Sequence, residues 1–396
     1  MRMSSLFNPL ILLTLQTLAA LLLVDSNYSS DLRYILFVAV PFIIYLIFYP
    51  IINLNRGKAT ESGQVNIFTP AQVRFSLFLI VLITLCNIWL ISGILPFYGG
   101  LIPALSSMGS SEIATILQQK GPEDLRKLIF VNYFLTVTVV PLALSNLKFK
   151  NAIIFICLLI CFFFSSLYGA RTLFIEPLLA LVIVKSTEVS MTPRRVSVFL
   201  LALVAAIFGM SYLQAIRFGK DSVLEGLDVL KNYYTISLNQ GANIIANDVQ
   251  REPFYWTLSS LFRIPVITSI FGFRSVYEGL IGPLPIQDRA DDFSYVASLG
   301  ADPRYNTLGI YAYMQLDAGI LGILLLIFVF LFSGIIYREF YKGKQIGFLL
   351  FPAVFALILD QLRTFSIFSS RMPYFIIIAI IIYLVGQIGG HRRYEK

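Results

Sequence analysis

A single histidine and three cysteines are all that 396 residues provide for base–nucleophile pairs, disulfides or thiolate metal sites. The histidine, His391, follows the last apolar run, and Cys86, Cys157 and Cys161 all fall inside apolar runs. A histidine-dependent triad or zinc site on an outer face has no residues to build from. Cys157 and Cys161 stand four apart on one helical face, the spacing of small buried hydrophobes rather than of a disulfide framework. Charge is scarce too, at 13% of residues, where a soluble globular chain carries roughly a quarter. No GxxxxGK[ST] phosphate loop occurs, which removes the usual cradle for ATP hydrolysis. Internal repeats and low-complexity stretches are also missing.

What is there is apolar: 57% hydrophobic residues, 14% aromatic, and a mean hydropathy of +0.79. A bilayer leaves no water for backbone polar groups, so apolar runs of roughly 20 residues cross it as helices. About ten such runs are present, at 7–24, 34–53, 75–95, 128–146, 151–168, 172–185, 196–213, 317–337, 346–362 and 373–389. The expected fold class is all-α, a polytopic transmembrane helix bundle. The sixth run is short and is interrupted by Glu176-Pro177, and a tight turn at Tyr168-Gly169-Ala170-Arg171 separates it from the fifth. No cleavable signal is evident, so the first run reads as a retained anchor. The chain divides into an N-terminal bundle at 1–213 with about seven spans, a large loop at 214–316, and a C-terminal bundle at 317–396 with about three spans and a tail. A second long segment runs from 96 to 127. Loops of this length carry function or structure, and the large one contains helical stretches at Ser222 to Asn232 and Trp256 to Phe262.

Orientation follows from the basic residues of short loops. Arg56, Lys58, Lys148, Lys150, Arg194 and Arg195 gather on one side, with Arg338, Lys342, Lys344 and the basic C-terminal residues. The bias over the opposite short loops is about twofold. It places both termini in the cytoplasm and the two long loops outside, in a bacterial inner membrane. The formal net charge of +8 is partly this membrane-surface bias, so nucleic acid is not an expected partner.

Chemistry outside must then use carboxylates, arginines, tyrosines and backbone amides. The large loop supplies Arg217, Arg251, Arg263, Arg274, Arg289 and Arg304, and far fewer lysines. Planar guanidinium matches phosphate oxygens with two parallel bonds, whereas lysine is a point charge. Lipid headgroups and lipid-linked diphosphates are suitable partners; pairing with the acids of the same loop is the plainer alternative. Arg171 begins the sixth run and Arg217 ends the seventh, both at the outer interface, where a charge either marks a binding site or snorkels to headgroups. Glu176 lies about one and a half turns deeper than Arg171 and can pair with an arginine or sense protons. Asp360 and Arg363 have the spacing of a self-neutralising helical pair. The Asp288-Arg289-Ala290-Asp291-Asp292 segment is open to three readings: a solvated loop, oxygen ligands for a divalent cation, or a general base for a sugar hydroxyl.

With these residues in place, the pattern resembles the Wzy-type polymerases of O-antigen and related oligosaccharide repeat units. The resemblance covers most of the chain as topology and sharpens in three places. Ser165-Ser166-Leu167-Tyr168-Gly169-Ala170-Arg171-Thr172 resembles the Gly/Ser-Arg turn between two spans. Arg217-Phe218-Gly219 resembles the arginine that opens the large periplasmic loop. Arg304-Tyr305-Asn306-Thr307, followed by Asp317-Ala318-Gly319 and Gly322, is similar to the lead-in to the span after that loop. Arg289 to Gly300 also fits an Arg-x10-Gly element. The related O-antigen ligases carry a periplasmic histidine, and this chain has none outside.

The resemblance implies a GT-C-like membrane glycosyltransferase of lipopolysaccharide or other surface-polysaccharide biosynthesis. Its substrates would be glycans linked to undecaprenyl pyrophosphate, and a chain-length regulator would be its protein partner. No cofactor, nucleotide or required metal is implied. Arg171 and Arg217 would stabilise the diphosphate leaving group. A carboxylate among Asp288, Asp291, Asp292 and Asp302 would take the acceptor proton. Arg289, Arg304, Asn306 and Asp317 would bind substrate. The competing function is a transporter or flippase for a polysaccharide precursor, which would show repeat symmetry and polar residues near the bilayer midplane. A non-enzymatic scaffold is the third reading.

Overall fold

A computed structural model of the chain describes residues 3–53, 67–106, 128–168, 170, 172–217, 222–250, 253–255, 257–258, 272–281, 308–362 and 371–391. These residues form helices, with no strand among them. Six helical stretches are long and apolar enough to cross a membrane: Met3–Leu22, Leu32–Asn53, Pro70–Tyr98, Lys150–Tyr168, Ile310–Tyr341 and Arg371–Ile388. Two shorter apolar helices, Ile129–Ala143 and Gln345–Leu359, pack among them. Large apolar side chains such as Leu15, Ile47, Phe78, Phe155 and Phe328 point outward and are exposed. Meanwhile Gln16, Gln72, Asn87, Glu176 and Gln361 are buried. A water-soluble protein does not present contiguous apolar surface on this scale, whereas a lipid-embedded one must.

The longer helices are α1 (Pro9–Leu22), α2 (Leu32–Asn53), α3 (Pro70–Ile94), α4 (Tyr133–Ala143), α5 (Lys150–Tyr168), α6 (Thr172–Ser186) and α7 (Pro193–Arg217). They continue as α8 (Val223–Ala246), α9 (Phe273–Leu280), α10 (Ile310–Ala318), α11 (Gly322–Tyr341), α12 (Gln345–Leu359) and α13 (Arg371–His391). Alternating direction gives the bundle two different ends. At the turn end, Met3 donates its backbone N–H to the Val189 carbonyl and Gln345 donates to the Ile67 carbonyl at 2.6 Å. At the loop end, the Asp25 N–H meets Asn239 Oδ1 at 2.8 Å and the Tyr98 hydroxyl meets the Leu167 carbonyl at 2.6 Å.

Buried amides tie the helices together. Thr69 and Gln72 form a capping box that starts α3, and the Gln72 side chain also donates to the Ile382 carbonyl of α13 at 3.0 Å. Asn87 of α3 donates to Asn132, just ahead of α4, at 2.7 Å. In an apolar medium each such bond replaces an unpaired polar group, which keeps helices of nearly uniform hydrophobicity in register.

Three sequence expectations change in detail. The sixth run is one continuous helix rather than an interrupted one. Pro177 lacks the N–H that would reach the Leu173 carbonyl, and the Cys161 thiol takes that place with its sulfur 3.3 Å away. The expected helix at Ser222 to Asn232 is twice as long, as α8, and lies against α7. Of the stretch Trp256 to Phe262, only 257–258 are among the described residues, and both are helical.

The third change concerns the lead-in to α11. Residues from Ile310 to Asp317 were expected to be outer loop up to 316, yet all of them are buried in α10 within the bundle. Gly319 ends α10 with φ +53°, a conformation that L side chains resist, and a Cβ there would lie 2.4 Å from Gln250 Nε2. The chain turns and continues into α11 at Gly322, where a Cβ would press on the Met314 carbonyl at 2.4 Å. The Asp-x-Gly-x-x-Gly pattern is thus a break between two helix segments, tolerated because it is enclosed by protein.

Candidate functional site

The C-terminal end of α12 is the polar centre of the loop end. A helix leaves its last carbonyls without partners. Here Gln16 of α1 donates Nε2 to the Ile358 carbonyl at 2.7 Å, and Gln361 donates to Gln16 Oε1 at 2.7 Å. The Gln361 carbonyl accepts the Ile310 N–H at 2.8 Å, which fixes the start of α10. This junction joins α1, α10 and α12 at one point.

Beside it lies a buried ion pair. Arg371, the first residue of α13, donates from Nη1 to Glu176 Oε1 of α6. The side chains are 12% and 5% exposed, so both charges have left water. Desolvating two ions costs several kcal/mol each, which their attraction repays only with close geometry. Glu176 Oε2 is buried with no hydrogen-bond partner among the described residues. Asp360, which caps α12, is near enough for its charge to act on both members. Four aromatic rings cluster around Tyr374, on the first turn of α13. Phe130 stacks on Tyr374 with centroids 5.4 Å apart, and Tyr133 and Phe134 approach the same ring at 6.1 and 5.9 Å. All four are partly exposed. Tyr374 follows Arg371 by three residues and so shares its helical face.

A second cluster organises the segment after α8. Asp317 is 2% exposed. Its Oδ2 accepts the Thr257 N–H at 2.5 Å and the Thr257 hydroxyl at 2.6 Å. Its backbone carbonyl accepts the Phe254 N–H at 3.0 Å. Gln315, two residues earlier on α10, donates to Asp248 Oδ1 at 2.9 Å, and Arg33 pairs with the same carboxylate at 3.4 Å. Asp248 and Phe254 both adopt positive φ, 52° and 58°. Such conformations persist where the surroundings over-determine them, and α10 does that here.

Of the residues singled out from the sequence, Asp317 is placed in full, with its carboxylate engaged by Thr257. Arg217 is the last residue of α7, at the loop end. Arg171 lies outside the described residues, but Ala170 and Thr172 on either side of it sit at that same end. Asp288, Arg289, Asp291, Asp292, Asp302, Arg304, Asn306 and Arg363 also lie outside the described residues. The structure therefore adds Arg371, Gln16 and the aromatic group to the residues at issue. Arg371 stands just ahead of the last apolar run, with no local motif around it. The signal for it was a lone acid in α6 that needed a partner at matching depth. Among the described residues, no three His, Cys, Asp or Glu side chains cluster as metal ligands.

Comparison with protein-family models, curated proteins and solved structures returns no match for this chain.

Proposed function

We propose that this chain is a lipid-linked glycan polymerase of the inner membrane, with about ten spans in a GT-C-like arrangement and its loop end in the periplasm. It joins oligosaccharide repeat units carried on undecaprenyl pyrophosphate into O-antigen or a related surface polysaccharide. The observation that carries this reading is the buried charge cluster at the loop end of an otherwise apolar bundle. Glu176, Arg371 and Asp360 gather there, and the residues flanking Arg171 and the end of α7 at Arg217 lie at the same end. An anionic diphosphate leaving group needs preplaced positive charge in a site with little water. Arg171 and Arg217 supply it, with Arg289, Arg304, Asn306 and Asp317 contributing to substrate binding and a loop carboxylate such as Asp288, Asp291 or Asp292 taking the proton. The diphosphate bond already activates the donor, so no nucleotide is consumed.

One observation favours the second reading, a precursor flippase. A buried carboxylate with one open oxygen inside a helix bundle is also what proton-coupled transport uses. Lipopolysaccharide profiling of a deletion strain separates the two. A polymerase loss leaves a single repeat on the lipid core and removes the ladder. A flippase loss removes the single repeat as well.

A further inference from the structure

Glu176 is only half satisfied. Arg371 holds Oε1, while Oε2 is buried with no hydrogen-bond partner among the described residues. If the pair served packing alone, two apolar side chains of similar volume would do it at lower cost. A buried carboxylate with one oxygen fixed by an arginine and the other left unpartnered is suited to a donor that is not part of the protein. That is the orienting logic of a general base.

The surroundings suggest which donor. Arg371 retains a small exposed face, 12% of its side chain, so the carboxylate lies one side chain beneath the surface of the loop end. On the helical face of α13 that carries Arg371, Tyr374 and the rings packed on it, Phe130, Tyr133 and Phe134, are partly exposed. Flat apolar faces next to a polar group suit a pyranose ring, which has C–H faces and hydroxyl edges. The Tyr374 phenol adds hydrogen-bonding capacity at the same place.

We propose that Glu176 is the general base for the acceptor sugar hydroxyl and that these aromatic rings form the acceptor subsite. The inference rests on the polymerase reading and puts the base on α6 instead of the large loop. As the acceptor oxygen bonds to the anomeric carbon of the donor, its proton passes to Glu176 Oε2. The bond from that carbon to the diphosphate oxygen breaks, and its electron pair leaves on the diphosphate. The proton on Glu176 passes to water as products depart. Arg371 is the positioning residue, since it acts through Glu176.

The test uses the purified full chain in vesicles with a diphosphate-linked repeat unit as both donor and acceptor. Glu176→Gln keeps an acceptor oxygen for Arg371 but cannot take a proton. It is expected to lower kcat by about 100-fold or more with KM unchanged. Wild-type kcat in this variant, or a raised KM with kcat intact, overturns the proposal. If the single variant fails to fold, the neutral pair Glu176→Gln with Arg371→Met restores charge balance. Lost turnover with retained acceptor binding in the pair supports the base, and wild-type turnover overturns it. A wild-type protein that translocates the repeat without extending it removes the polymerase reading, and this inference falls with it.

Discussion

Arg371 and Glu176 meet across 195 residues of sequence, joining the first residue of α13 to the second turn of α6. Removing one partner leaves the other as a buried uncompensated charge. Glu176→Ala and Arg371→Ala are each expected to cost about 3–5 kcal/mol. Replacing both with neutral side chains of similar volume should restore most of that. Thermal unfolding in detergent, read by the yield of monodisperse protein, checks the ordering of single and double variants.

Asp317 connects the break between α10 and α11 to the segment after α8. Asp317→Ala strands the Thr257 N–H and hydroxyl, at a cost of about 1–3 kcal/mol. Local release should exceed global loss, because the carboxylate bonds to Thr257 hold the segment after α8, while the backbone bond from Phe254 to residue 317 survives the substitution. Limited proteolysis should show faster cleavage near residues 250–258 while the helix bundle survives. Asn, which keeps an acceptor oxygen, should fall between wild type and Ala.

Backbone conformation predicts an opposite pair of effects nearby. Gly319→Ala meets both an unfavourable φ and the Gln250 side chain, so it should destabilise by about 1–3 kcal/mol. Phe254→Gly relieves a positive φ at a residue 39% exposed, so its stability should equal or exceed that of the wild type. Melting temperatures of the two variants should move apart.

The helices were readable because bilayer thickness and backbone hydrogen bonding leave apolar runs few options. Each of the ten runs contains helix among the described residues, including the short sixth one, and six helical stretches are long and apolar enough to cross a membrane. What sequence could not give was lateral placement. Gln16 looks like an isolated polar residue in an apolar run until the end of α12 is set beside it. Arg371 and Glu176 have no local pattern to link them. The Asp317-x-Gly319 pattern was visible, but its place inside the bundle depends on α10 being buried, and α10 is too short to announce that by periodicity.

Arg171 and Arg217 carry the proposed leaving-group charge. Replacing either with Ala should abolish long chains while single-repeat product remains, and Lys should rescue poorly because it lacks the planar fork. Lipopolysaccharide gels at matched protein level check this. Normal ladders in both Ala variants would remove these arginines from the mechanism.

The most direct measurement follows product length when the purified protein, in vesicles without nucleotide, receives undecaprenyl-pyrophosphate-linked repeat units. Polymerisation predicts glycans of two or more repeats together with released lipid diphosphate in equal number to the new linkages. Repeat units that change leaflet but stay single would contradict it.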